Sequence, residues 1–114
     1  MYWGDTHLHT DNSLDANGFG ARIGPEEAYR FARGEIVTSS TGVRARLQRP
    51  LDFLVVADHS DNMGLFTRIF ESHPDILADA EGRRIHDAIK AGGINVIRYG
   101  MMRENVILIV NALK

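Results

Sequence analysis

His7, Leu8 and His9 set two imidazoles two positions apart, and on an extended chain residues i and i+2 point to the same side. That spacing lets both rings reach one cation at about 2.1 Å. Asp5 continues the alternation, so Asp5, His7 and His9 are expected on one face of a strand over residues 2–10, with Thr6, Leu8 and Thr10 on the other. Turned into a protein interior, a face of Asp, His and His is costly unless each group is paired or bound to metal. Turned to water it costs nothing, and a bare His-x-His is more often such a solvated strand. A second cluster changes the balance. Asp58-His59 directly follows the apolar run 51–57, and ionisable residues at the carboxyl end of a buried strand stand where α/β folds put their active sites. Read alone, Asp58 could cap the next segment and His59 could be a satisfied neutral histidine. Asp15, six residues past His9, either supplies a further oxygen ligand or forms an Asx turn ahead of Asn17-Gly18. Both readings of Asp15 stay open.

Other chemistry is thinner. His73 precedes Pro74 in a loop-like stretch and His86 sits in a polar–apolar helical pattern, so both read as surface residues. Arg44, Arg46 and Arg49 could pair with a phosphate, although a solvated loop with scattered charge is the commoner outcome. Phe31, Phe53, Phe66 and Phe70 fall at apolar positions and read as core. The absence of cysteine excludes disulfides, thiolate metal sites and cysteine nucleophiles. No GxGxxG, P-loop, GxSxG or HExxH is present, which removes dinucleotide, P-loop, serine-elbow and zincin readings.

Periodicity marks the elements that must position these groups. Residues 11–24, rich in Asn, Asp, Ser and Gly, read as a working loop. Gly24-Pro25-Glu26-Glu27 marks a helix start, because proline suits the first helical position and carboxylates complement the positive end of the dipole. Gly34 marks its stop. Residues 35–50 read as a polar excursion with room for a short hairpin. The run 51–57 has the pattern of a parallel strand buried on both faces. Beyond Gly64, Leu65, Ile69 and Phe70 form one helical stripe, and Ile85, Ala88 and Ile89 form another before Gly92-Gly93. The tail 94–114 reads two ways: the spacing of Ile97, Met101, Leu108 and Ala112 favours a helix, whereas 106–110 has strand composition, and the helix is the expectation. Strand, helix, strand, helix indicates α/β with parallel strands.

The chain has 114 residues with 44% hydrophobic and 25% charged positions, one unit without repeats or linkers. That length is too short for a closed (β/α) barrel of about 250 residues. A formal charge of -2 recommends neither nucleic acid nor an anionic membrane. No apolar run approaches the ~20 residues that span a bilayer, and no basic-then-apolar leader opens the chain. A soluble, unprocessed, cytoplasmic protein is the expectation.

Gly4-Asp5-Thr6-His7-Leu8-His9-Thr10 with Ser13 and Asp15, together with Ala57-Asp58-His59-Ser60, resembles the first two motifs of the PHP superfamily, named for polymerases and histidinol phosphatase. The stretch 2–64, including Gly24 to Glu35 and Arg49 to Leu54, is similar to an uncharacterised PHP-like family of much longer proteins. The likeness is close over the first half and loose beyond. It implies a distorted (β/α) barrel whose strand ends hold two or three divalent ions (zinc, manganese or iron), and hydrolysis of a small phosphorylated substrate. Carried over, His7 and His9 match the paired ligands of one metal, and Asp15 and His59 match ligands of another. Asp5 and Asp58 match flanking catalytic acids that orient imidazoles. Further ligands from later strands have no counterpart after His59, so the chain is expected to be the truncated amino-terminal part of such a barrel. An open sheet edge then predicts a homo-oligomer with negligible phosphatase activity. An amidohydrolase, which also opens with His-x-His, and a non-catalytic metal-binding or assembly domain are the alternatives.

Overall fold

In a computed structural model of the chain, residues 1–92 are described. The helix expected over 94–114 lies outside the described residues. In chain order the elements are β1 (Gly4–Leu8), α1 (Leu14–Gly18), α2 (Pro25–Ala32), β2 (Val37–Thr38), β3 (Arg44–Ala45), β4 (Phe53–Val56), α3 (Leu65–Phe70), α4 (Pro74–Ala78) and α5 (Ala80–Gly92). β1 and β4 form a parallel two-stranded sheet, and β2 and β3 a small antiparallel hairpin inside the polar excursion. The architecture is mixed α/β, and among the described residues the sheet does not close into a barrel.

The strands are tied at both ends. At the start, the Trp3 amide donates to the Asp52 carboxylate and the Asp52 amide donates back to the Trp3 carbonyl, each at 2.7 Å. At the finish, the Ala57 amide donates to the Leu8 carbonyl at 2.7 Å. Between them the pairing is irregular. Gly4 pairs with Phe53 and Asp5 with Leu54, but Leu8 pairs with Val56, so three steps along β1 match two along β4. Such a bulge breaks simple alternation and leaves Asp5 and Leu8 on the same side of the sheet. Asp5 and His9, expected on one face, both line the cavity facing α2, and Leu8, expected on the other face, lines it with them. Gly4 is required by the pairing itself, since a Cβ there would stand 2.3 Å from the Phe53 carbonyl oxygen.

α2 starts as its residues dictate, with Gly24 at the cap, Pro25 in the first turn beside Glu26 and Glu27, and Ala28 and Ala32 buried. It packs against β4. That strand is covered on one side only. Leu54 and Val56 are half-buried, while Phe53 and Val55 are 43% and 47% exposed, so neither a strand buried on both faces nor Phe53 as core is what the described residues contain.

The main apolar cluster lies elsewhere, in Phe66 and Ile69 of α3, Ile76 of α4, and Ile85 and Ile89 of α5, with Leu14, Leu65 and Phe70 against it. Each such burial contributes roughly 1.5–3 kcal/mol. Here the loop-like reading of His73-Pro74 is corrected. Pro74 opens α4, and the His73 side chain accepts from the Asp75 amide as its cap. Asp79 caps α5 in the same way, its carboxylate accepting from the Gly82 amide at 2.7 Å. Gly82 lets the two helices approach, because a Cβ at that position would lie 2.5 Å from the Ile76 carbonyl oxygen. α1 is an addition to the loop expected over 11–24. It is held by tertiary contacts: Asn17 is 1% exposed, and its amide nitrogen donates to the Asp11 carbonyl and the Thr67 hydroxyl.

Candidate metal centre

The site grows from the two carboxyl ends of the parallel strands. After β1 come His9 and Thr10, and after β4 come Ala57, Asp58 and His59. The Asp58 carboxylate accepts from both the backbone amide and the hydroxyl of Thr10, a residue only 2% exposed. This clamp fixes one strand end against the other. Ser13, fully buried, ties the adjoining loop to the same point. Its hydroxyl donates to Asp15 Oδ1 at 2.7 Å and accepts from the His59 amide at 3.0 Å.

These supports bring three ligand-bearing side chains together. His9 Nδ1 lies 2.8 Å from Asp15 Oδ2, and His59 Nε2 lies 3.4 Å from the same oxygen. Ligand atoms of His9, Asp15 and His59 all fall within 4.8 Å of one another. A carboxylate only accepts, so the His9 proton sits on Nδ1 and the lone pair on Nε2. That Nε2 is buried and has no hydrogen-bond partner among the described residues. A buried acceptor without a partner costs about 1–3 kcal/mol, and a cation is the kind of group that relieves it. Two ligands of a tetrahedral ion with bonds of about 2.1 Å stand ~3.4 Å apart, which is the spacing of Asp15 and His59. A donor set of two imidazoles and one carboxylate fits a divalent transition ion.

Electrostatics favour the ionised Asp15. Burial works to raise its carboxyl, but hydrogen bonds from the Ser13 hydroxyl, the Ala16 amide and the His9 ring, with the charge of His9, outweigh burial and hold it at about 2. Asp11 nearby is pushed the other way, first by burial and then by the charges of Asp58, Glu71 and Glu27, against which Arg22 alone pulls down.

The residues expected from sequence sort differently from the two-metal division. His9 stands with Asp15 and His59, not apart from them. His7 lies beside His9, with ring centroids 4.9 Å apart, as are those of His9 and His59, but it does not belong to the group of three. Asp5 and Asp58, expected to orient imidazoles, do other work: Asp5 accepts from the His7 backbone amide and Asp58 holds Thr10. Arg44, Arg46 and Arg49 are exposed, with Arg49 3.7 Å from Asp52. His86 is not a surface residue, since its side chain is 13% exposed. The supporting parts played by Ser13 and Thr10 go beyond the sequence expectation. A signal existed, because small hydroxyl residues between potential ligands have little reason to be there except to bond them.

A cavity of about 460 Å³ adjoins the site, lined by His9 and Thr10 at one end and by Leu8, Phe31, Leu51 and Leu54. No helix among the described residues is long and apolar enough to cross a membrane. No curated protein and no solved structure matches the chain. Residues 1–107 match the family described as "Protein of unknown function (DUF3604)", and the chain belongs to that family.

Proposed function

We propose that this chain is the amino-terminal part of a metal-dependent hydrolase of the PHP type, acting on a small phosphorylated substrate. The observation that carries the reading is the convergence of His9, Asp15 and His59 around a buried His9 Nε2 that has no partner among the described residues. In this reading those three side chains hold a divalent ion, zinc, manganese or iron by donor type, with His7 available beside them. Held there, such an ion would supply Lewis acidity and would lower the pKa of a water toward neutrality. The chain's own part is positional: the Asp58–Thr10 clamp sets the distance between the strand ends, and Ser13 holds the Asp15 carboxylate and the His59 backbone.

A non-catalytic metal-binding and assembly domain is the second reading. The exposed sheet side at Phe53 and Val55, on which a second copy of the chain could close, favours it. Calorimetric titration with Zn²⁺ and Mn²⁺ tests the metal site: His9→Ala and His59→Ala should each weaken binding by about 10-fold or more. Affinities equal to wild type would remove both readings. Metal-dependent turnover of a phosphomonoester, run with light scattering for the assembly state, separates the first from the second.

A further inference from the structure

A second constellation lies on different elements. Ser72 stands past the end of α3 at the turn into α4, and its Oγ is 2.9 Å from His86 Nε2 on α5. His86 Nδ1 is in turn 2.9 Å from Asp87 Oδ1. Because the carboxylate only accepts, the His86 proton resides on Nδ1, the lone pair on Nε2, and the Ser72 hydroxyl donates to it. A hydroxyl on a histidine that is itself oriented by an acid is the arrangement that makes serine a nucleophile. Two further features set Ser72 apart. It adopts φ 57°, a left-handed conformation that is strained for a non-glycine residue, and the His86 ring that receives its bond is nearly buried.

We infer that Ser72 is a nucleophile toward activated acyl and phosphoryl compounds, with His86 as its base. The contacts define the reaction. With a fluorophosphonate, a Ser72 Oγ–phosphorus bond forms, the phosphorus–fluorine bond breaks and fluoride leaves, while the hydroxyl proton passes to His86 Nε2. Asp87 then faces the resulting imidazolium. It is 69% exposed, so it fixes the ring tautomer more than it adds charge stabilisation. The turn also sets the rate of this step. The Ser72 amide donates to the Ile69 carbonyl and the His73 amide to the Arg68 carbonyl, so neither is free to stabilise an oxyanion. Capture at Ser72 therefore rests on its activation by His86, and is slower than at a serine that also has oxyanion donors.

The test is labelling of the full chain with a fluorophosphonate probe, read by intact mass and peptide mapping over time. One adduct at Ser72 is expected, forming well before any at the exposed Ser60, and His86→Gln should slow it by about 100-fold because the amide can bond the hydroxyl but not take its proton. Asp87→Asn, at an exposed position, should slow it by about 10-fold. Wild-type labelling of Ser72 no faster than of Ser60 would overturn the inference without any variant. So would unchanged Ser72 labelling in His86→Gln. Neither outcome bears on Zn²⁺ binding at His9, Asp15 and His59.

Discussion

Replacing Ser13 by alanine should damage the molecule more than the loss of one oxygen suggests. The hydroxyl donates to the charged Asp15 carboxylate and accepts the His59 amide, in a position with no exposure to water. A hydrogen bond to a charged group contributes about 1.5–3 kcal/mol, and an ordinary one about 0.5–1.5 kcal/mol. The His59 amide is left without its acceptor, so the combined loss is roughly 2–4 kcal/mol, a large share of the ~5–15 kcal/mol that holds a domain folded. Urea denaturation reads it directly. With a slope near 1–3 kcal/mol/M, the midpoint should fall by about 1–2 M at unchanged slope. The same substitution frees Asp15 and the His59 backbone, so Zn²⁺ affinity should drop by about 10-fold. A destabilisation under ~0.5 kcal/mol would refute the hub role, since two buried bonds cannot be removed so cheaply.

Acid should expose Asp15. Its folded carboxyl, held at about 2 against an ordinary 3.8, stabilises the fold fully above pH 3.8, and that contribution disappears as pH falls toward 2. Urea midpoints measured down this range should fall more steeply for wild type than for Asp15→Asn; parallel curves would show that the carboxylate is not held. Asp11, raised in the fold, works in the opposite direction, but it is common to both proteins and cancels in the comparison. Gly4→Ala should lower thermal stability by about 1–3 kcal/mol, because the new methyl would meet the Phe53 carbonyl and force the strands apart. An unchanged melting temperature would mean that the strands are not locked at this pair.

Much of the framework is legible in the sequence because it rests on local rules. Pro25 with its two neighbouring glutamates places the start of α2, and the apolar run 51–57 contains β4 in a parallel pair with β1. The two histidine clusters are legible for the same reason, as each ends a strand. The features that escape reading depend on partners distant in sequence. The bulge that brings Leu8 alongside Asp5 is a property of the pairing with β4, invisible in β1 alone. α1 is five residues long, ends in glycine and survives on the contacts of Asn17 with Asp11 and Thr67. Asp58 looks like an acid for an imidazole, yet its partner is Thr10, 48 positions away. Pro74 is a local signal of the same kind as Pro25, since proline at a first helical position preceded by a side-chain acceptor marks a helix start equally well.

The Thr10–Asp58 clamp also says something about the order in which the chain comes together. Closing a segment of 48 residues costs about 3 kcal/mol of chain entropy or more, whereas α4 and α5 adjoin in sequence and meet almost without that penalty. Short-range contacts form first where topology allows, so the helical cluster should assemble ahead of the sheet. His9 and His59 are strangers until the clamp closes. On the proposed metal reading, a cation that needs both would bind only the finished chain and pull the folding equilibrium by mass action, which would make added Zn²⁺ a chronometer: in stopped-flow refolding its capture should lag the helical signal and coincide with the last phase.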